Sequence, residues 1–426
     1  MRNLTIFICI SSLIIFLISC DREPATEAKQ AMRKVNTPRN IGDDLELKDL
    51  AEGLNENVEI LYKSDISSIT FGPKEFNKDD YILSIYYLIE KINLGLSKNE
   101  FYDLVKENFD YYEVYGKDDW GEVFITSYFE PIIMGSKRKT EKYSQPLYAT
   151  PDDLVNFHLG KYARQFNRMY PIKDAVLDPT TNLAIVPGRI APPYNEGTSA
   201  NIVPYYTREE IDGKRMLEGK RLELAWVDPV DAFFLQVQGS GTIRFNNGKE
   251  MRLGYASKNG HPYVGIGKLL YHKIPKEEMT MQALDKHLRS LTREEQNKIL
   301  FENPSYVFFR EIEGRPVTHS GAEVVDGRTI ATDKSFYPKG TLAFMEFPKP
   351  EFSDEFSTRP NTWVTTSRFV LDQDTGGAIK GPHRVDLFWG TGEEAGQHAG
   401  VLKNWGKLYY LVPKDEFVDE LKSNLK

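Results

Sequence analysis

From residue 122 onward the chain is cut into short runs of β-branched and aromatic residues. EVFITSYF (122–129), AFFLQVQGSGTIRF (232–245), MRLGYA (251–256), SYVFF (305–309), TLAFMEF (341–347), WVTTSRFVL (363–371), RVDLFWG (384–390) and KLYYLVP (407–413) are bounded by Gly, Pro or Asn. Such residues suit a pleated, half-buried surface better than a helix interior. Many short strands must hide their edges, and closing into barrels does so. NNG at 246–248 predicts a tight hairpin turn. The fold class read from this pattern is mainly β, or α+β with a few helices.

Helical signals are local. In 79–109, Asp79 or Asp80 can cap a helix whose Ile82, Ile85, Ile89 and Ile92 share a face, and Gly95 ends it. Ser97 and Glu100 have capping-box spacing ahead of a second helix. A further helix is expected after Thr150, with Pro151 in its first turn and Asp153 behind it. Residues 280–301 read as a helix pair broken at Thr292 and Glu295, and Pro304 bars continuation. GRIAPPYNEGTSANIVPYY (188–206) reads as a long loop, and the wider 175–205 stretch has no assignable role. Residues 21–45 are polar without an apolar period and read as a tether.

The amino terminus is more specific. Arg2 precedes LTIFICISSLIIFLISC (4–20), a charged start and an apolar run too short and too near the terminus for a comfortable membrane span. Small residues before Cys20 resemble the bacterial lipoprotein signal (1–20), cut before the cysteine and acylated on it. The other cysteine, Cys9, lies inside the removed peptide, so the mature chain can form no internal disulfide. The 426 residues suffice for two or three domains. A net charge of −8 argues against a nucleic-acid partner, which calls for a basic excess.

Candidate chemistry lies in the acids of the carboxyl-terminal third. No His-x-x-x-His pair stands beside a glutamate and the mature chain would have no cysteine pair, so no metal and no cofactor are expected. QGSGT (238–242) lacks the first glycine of a nucleophile elbow. Asp374-Thr375-Gly376 is the tripeptide of acid proteases, but that chemistry needs two facing copies and the chain has one. GTGEEAG (390–396) imitates a dinucleotide fingerprint without the surrounding βαβ unit. Cleavage of a glycosidic bond fits better, because it needs a protonated carboxyl at the leaving oxygen. Asp386 lies in the alternating segment Arg384 to Trp389, so one face can carry it into a groove beside Trp389. An ionised Asp374 nearby would raise the pKa of Asp386, whereas Lys380, His383 or Arg384 would lower it. The residues alone leave a structural turn and a catalytic acid both open.

Resemblance narrows this. IATDKSFYPKGT (330–341), DTGGAIKG (374–381) and RVD (384–386) resemble the three-aspartate domain of cell-wall-active bacterial proteins, whose aspartates match Asp333, Asp374 and Asp386. TSYFEP (126–131), FFLQVQGSG (233–241), YASKNGHPYVGIGK (255–268), MTMQAL (279–284), NPSYVFF (303–309), GTGEEAGQHAG (390–400) and WGKLYYLV (405–412) resemble, in order, the membrane-bound lytic transglycosylase A family. The resemblance implies a double-psi β-barrel of residues 46–130 and 312–415, with a β-domain inserted at 131–311 and the glycan in the groove between them. It implies a lyase that cleaves the β-1,4 bond between N-acetylmuramic acid and N-acetylglucosamine in peptidoglycan, for cell wall turnover. The muramic 6-hydroxyl attacks its own C1 and leaves a 1,6-anhydro end. Asp386 would be the acid and then the base, Asp374 would tune it, and Asp333 would support the barrel. Thr126, Tyr128, Gln238, Gly239, Ser240, Gly377 and Lys380 are the expected sugar contacts.

The implied partners are peptidoglycan strands, the membrane through the lipid on Cys20, and other cell-wall enzymes. The implied place is the periplasm-facing cell envelope, with the outer membrane preferred and Asp21 leaving that choice open. GPHRVD makes the spacing from Asp374 to Asp386 one residue longer than in the best-known members. A hydrolase on the same barrel needs a second carboxylate, for which Asp374 and Glu130 are candidates. A non-catalytic peptidoglycan-binding lipoprotein is the remaining alternative.

Overall fold

The computed structural model describes residues 24–158, 176–178, 183–191, 201–355 and 357–425. The apolar leader, Cys20 and Asp21 lie outside the described residues, as does much of 175–205. Strand β1 (Met32–Val35) leads to helix α1 (Leu47–Lys63), the hairpin β2 (Ser68–Phe71) and β3 (Lys74–Asn77), then α2 (Lys78–Asn93), α3 (Lys98–Asn108) and β4 (Phe109–Val114). Strands β5 (Glu122–Glu130), β6 (Ile132–Ser136) and β7 (Gln145–Tyr148) follow. An outlying sheet holds β8 (Val155–His158), β9 (Val176–Asp178), β10 (Leu183–Ala191) and β11 (Asn201–Pro204). The chain continues through β12 (Glu223–Val227), α4 (Pro229–Gln238), β13 (Gly241–Phe245), β14 (Glu250–Lys258), α5 (Met281–Arg289), α6 (Arg293–Leu300) and β15 (Val307–Glu311). It ends with β16 (Thr329–Ala331), β17 (Thr341–Glu351), β18 (Thr362–Asp374), β19 (Arg384–Thr391), α7 (Gly392–Ala399), β20 (Lys403–Pro413) and α8 (Asp415–Asn424).

Two barrels result. In the first, the order β20-β17-β18-β16-β19-β5 closes because β5 also pairs with β20, and β4 and β1 extend from β20. The β5–β19 and β16–β18 pairs are parallel and the other ring pairs antiparallel. Strands from opposite ends of the chain thus share one core, with Val123 and Ile125 of β5 packed beside Val385 and Leu387 of β19. The second barrel runs β15-β14-β13-β6-β12-β7, and a bridge from Ala149 to Phe309 nearly closes it. Its core is Leu147, Val227, Leu235, Ile243, Leu253 and Phe309. The turn at 246–248 joins β13 and β14 as a hairpin.

Helix α1 covers one side of the first barrel. Leu47, Leu50, Leu54, Val58 and Leu61 recur at helical spacing and are buried. Gly53 lets the helix come close, since a Cβ there would stand 2.1 Å from Leu371 Cδ1. The boxes at Ser97–Glu100 and Thr292–Glu295 both form.

Several expectations need correction. Residues 232–245 are a helix followed by a strand. Asp228 accepts from the amides of Val230 and Asp231, Pro229 opens the turn, and Gly239, at φ 88°, closes it in the left-handed region where glycine is at ease. These end signals outweigh the aromatic content between them. Among the described residues, no helix starts at Thr150. Its hydroxyl shares a hydrogen bond with Ser257, and the chain turns into β8. Asn77 caps α2 in place of Asp79 or Asp80. Within 188–206, β10 and β11 pair antiparallel from Gly188–Pro204 to Ala191–Asn201. The stretch read as a tether contributes β1, paired with β4. It also contributes Asp43, which meets the fully buried Arg328 at 2.7 Å. No helix among the described residues is long and apolar enough to cross a membrane.

Candidate active site

Strand register draws the acids into one row. Asp386 on β19 lies beside Thr126 on β5 and beside Ala331 on β16, and Ala331 lies beside Asp374 on β18. With neighbouring strands about 4.8 Å apart, the two aspartates sit on backbones roughly 10 Å apart, separated by one methyl group. A register shift on β18 between Asp372 and Asp374 makes this alignment. Such a bulge re-aims the side chain that follows it. Because side chains alternate, Val385 and Leu387 fill the barrel while Asp386 and Phe388 take the other face, with Thr126 and Tyr128. Trp389 therefore faces away from Asp386, contrary to expectation. It stacks on His398 and meets Phe347 edge-on.

Asp386 is half-buried and receives a hydrogen bond from the Thr126 hydroxyl at 2.7 Å. Arg384 in turn donates to Thr126 at 3.2 Å and lies over the Phe124 ring. Burial pushes the Asp386 carboxyl up to about 6. Thr126 and Arg384 pull it down, and Asp374 adds a small upward push. The balance left open by the sequence is thus set by desolvation. Asp386 holds its proton in mildly acidic conditions and yields it near neutrality.

Asp374 is differently placed. Its Oδ1 accepts the amides of His319 at 2.8 Å and Thr375 at 2.9 Å, and its Oδ2 accepts the Tyr128 hydroxyl at 2.9 Å. Burial and the Asp374 charge hold Tyr128 well above the usual phenol range, so it stays a donor. These bonds fix Asp374 as an oriented acceptor beside Asp386. Asp333 is buried and accepts the amides of Gly381 and Ser335. Burial alone would raise its carboxyl, but these amides outweigh it and hold the group below its ordinary value. Asp333 pins the 376–383 loop, where Tyr337 also donates to the Pro382 carbonyl.

The expected sugar contacts divide. Thr126 and Tyr128 engage the two acids directly. Gln238, at the end of α4, accepts the Phe129 amide at 3.2 Å and donates to Met281, so its side chain braces β5 against the second barrel. Gly239 and Ser240 form the turn after α4 and are half-buried. Gly377 and Lys380 belong to the loop opposite the second barrel, and a Cβ on Gly377 would stand 3.9 Å from Lys258 Nζ. Glu130 is fully buried. Arg252 meets it at 2.9 Å, and Thr242 and Thr391 donate to it, so it is closed off as a second acid. The His319 amide, Ala331 and Lys258 were missed. The first two act through backbone register and a loop contact that no local pattern announces, whereas Lys258 was visible in the quoted YASKNGHPYVGIGK stretch. Among the described residues, no group of three or more His, Cys, Asp or Glu could hold a metal ion.

This geometry meets known proteins directly. Residues 124–310 match the MltA specific insert domain, and residues 328–412 match the 3D domain. The chain belongs to the membrane-bound lytic murein transglycosylase A family. The MltA insert covers β6 to β15 and all but the start of β5, and the 3D domain supplies the other ring strands of the first barrel. The membrane-bound lytic murein transglycosylase A of Escherichia coli K12 is 25% identical over 418 residues, covering 95% of each chain. That of Vibrio cholerae is 28% identical over 303 residues, covering 70% of this chain and 67% of the relative. A membrane-bound lytic murein transglycosylase structure from Agrobacterium tumefaciens superposes with TM-score 0.68 at 26% identity, covering 90% of this chain and 98% of that one. The E. coli MltA structure with bound chitohexaose shares the fold, with TM-score 0.64 at 24% identity over 91% and 96% of the two chains.

Proposed function

We propose that Asp386 alone carries both proton transfers of this peptidoglycan lytic transglycosylase. The chain cleaves the β-1,4 bond between N-acetylmuramic acid and N-acetylglucosamine. Asp386, protonated, gives its proton to the glycosidic oxygen, and the N-acetylglucosamine leaves with a free 4-hydroxyl. The resulting carboxylate takes the proton of the muramic 6-hydroxyl while that oxygen bonds to C1. The 1,6-anhydro ring closes, Asp386 regains its proton, and no water is consumed. An internal nucleophile has a large effective concentration and needs no captured water. One carboxyl can serve as acid and then base when its pKa lies near the working pH, and Asp386 is pushed up to about 6. Thr126 steers the Asp386 oxygen, and Asp374, aligned by Tyr128, adds negative charge that favours the protonated acid.

The observation that carries this reading is the row Thr126–Asp386–Ala331–Asp374. It offers one carboxyl poised to exchange a proton and one already bound to three donors. A water-activating base would need free lone pairs, and Glu130 and Asp374 are both engaged. The glycan would lie between the barrels, against Gly377, Lys380, Gly239 and Ser240. A lipid on Cys20 would hold the enzyme to the outer membrane facing the periplasm, within reach of other cell-wall enzymes. The test is strand binding and strand cleavage measured on the same Asp386→Asn protein. Cleavage lost while sedimentation with peptidoglycan persists supports the assignment. Cleavage retained refutes it, and wild-type protein that binds without cleaving is a sugar clamp.

A further inference from the structure

The second barrel presents a cation to the loop that follows Asp374, and the proton chemistry above gives it no work. Lys258 ends β14, and its ammonium lies about one atomic contact from Gly377, as the 3.9 Å approach to a built Cβ shows. Gly377 follows Asp374 by three residues, a span of at most about 11 Å. Lys380 lies in the same loop, next to Gly381, whose amide Asp333 holds. Among the described residues neither lysine has an ion pair or a side-chain hydrogen bond. Lys258 is half-buried, and burial together with the nearby Lys380 charge lowers its pKa. Two ammonium groups offer donors and no acceptor, and the Lys380 charge works against that of Lys258. An anion between them would relieve Lys258.

We propose that Lys258 and Lys380 form a subsite for a carboxylate carried on the muramic acid of the glycan strand. This rests on the reading of the chain as a peptidoglycan-cleaving enzyme. The sugar rings themselves are neutral, so the anion must come from the substituent of the muramic acid. Two sources share that chemistry. In peptide-free strands the lactyl group ends in a free carboxylate, and in peptide-bearing strands the lactyl is an amide and the stem supplies the carboxylates. The subsite would make the enzyme prefer charged strands and seat the muramic acid with its C1 toward Asp386.

The test compares initial rates of anhydro-end formation on three substrates: peptide-free strands, the same strands with lactyl carboxylates converted to methyl amides, and peptide-bearing strands. Wild type, Lys258→Gln and Lys258→Arg are measured on each, at limiting substrate. A charge-assisted contact in a partly open site predicts about a tenfold wild-type preference for one charged substrate over the methyl amide. Lys258→Gln should bring that preference towards one, and Lys258→Arg should restore most of it. Loss confined to peptide-free strands names the lactyl carboxylate as the ligand, and loss confined to peptide-bearing strands names the stem. A wild-type rate equal on all three substrates, or a Lys258→Gln loss equal on all three, overturns the subsite. Absence of anhydro ends from every substrate would instead refute the transglycosylase reading. A fold failure in Lys258→Gln would depress all three rates and the circular dichroism signal together, and Lys380→Gln then provides the same comparison from the other side of the pair.

Discussion

Thr126→Val removes the hydroxyl that donates to Asp386 at 2.7 Å and leaves the strand otherwise suited to its place. A hydrogen bond to an ionised carboxylate contributes about 1.5–3 kcal/mol, which at about 1.4 kcal/mol for each tenfold change is one to two pH units. Water can enter this half-open site and replace part of that bond, so about one unit is expected. The bond favours the ionised form, so its loss moves the Asp386 carboxyl upward, from about 6 to roughly 7. The enzyme needs Asp386 protonated to start, and kcat/KM should fall as pH rises through that value. The alkaline limb of the pH profile should therefore move up by about one unit in Thr126→Val and stay near its wild-type position in Thr126→Ser. At pH 7 the protonated fraction rises from about a tenth to about a half. A limb that stays in place, or moves down, would show that Thr126 does not tune the working acid.

Asp386→Asn should abolish cleavage yet stabilise the fold. The carboxyl is harder to ionise folded than unfolded, so its stability contribution is complete below about pH 4 and is lost as pH rises through about 6. The gap between 3.8 and about 6 corresponds to about 3 kcal/mol, reduced to roughly 1–2 kcal/mol for a half-buried group. Denaturant unfolding at pH 8 should show that gain, and at pH 4 it should vanish. Asp333→Asn should act oppositely, because its carboxyl is held low by two amides. That stability is present above about pH 4 and lost as pH falls further, so the variant should be weaker by about 1–3 kcal/mol at pH 7 and converge with wild type in acid. Asp43→Ala strands the fully buried Arg328 and should cost about 3–5 kcal/mol in the same assay, although Asp43 lies in the stretch that reads as a tether. Tyr128→Phe frees Asp374 Oδ2 and should lower kcat with little change in the unfolding midpoint, as chemical denaturation and steady-state rates will show.

The strands were readable because period-two patterns survive wherever one face is buried. RVDLFWG and TSYFEP matched β19 and β5, and their pairing joins positions 260 residues apart. The row itself was not readable. It depends on a bulge in β18 and on register between strands distant in the sequence, and neither leaves a local mark. Helix α4 was misread because Val, Phe and Leu serve either structure. The decisive signals were Asp228-Pro229 before it and Gly239 after it. The helix expected at Thr150 had good end signals, but Val155–His158 pair with β10 as a strand instead. β1 leaves little mark in the sequence because Arg33 and Lys34 are exposed, and only Met32 is fully buried, with Val35 partly packed beside the core. Asp374 and Asp386 fall in one row, but the protonation balance of Asp386 depends on burial, which only packing supplies.

The most direct test of the central claim is the chemistry of the new chain ends. Purified peptidoglycan digested by residues 21–426 in heavy-oxygen water and analysed by mass spectrometry reports the nucleophile at every cut. The account predicts 1,6-anhydromuramic ends, lighter than hydrolysed ends by one water and free of the heavy label, absent in Asp386→Asn. Labelled reducing ends would contradict it, because water would then be the nucleophile and a second carboxylate would have to activate it.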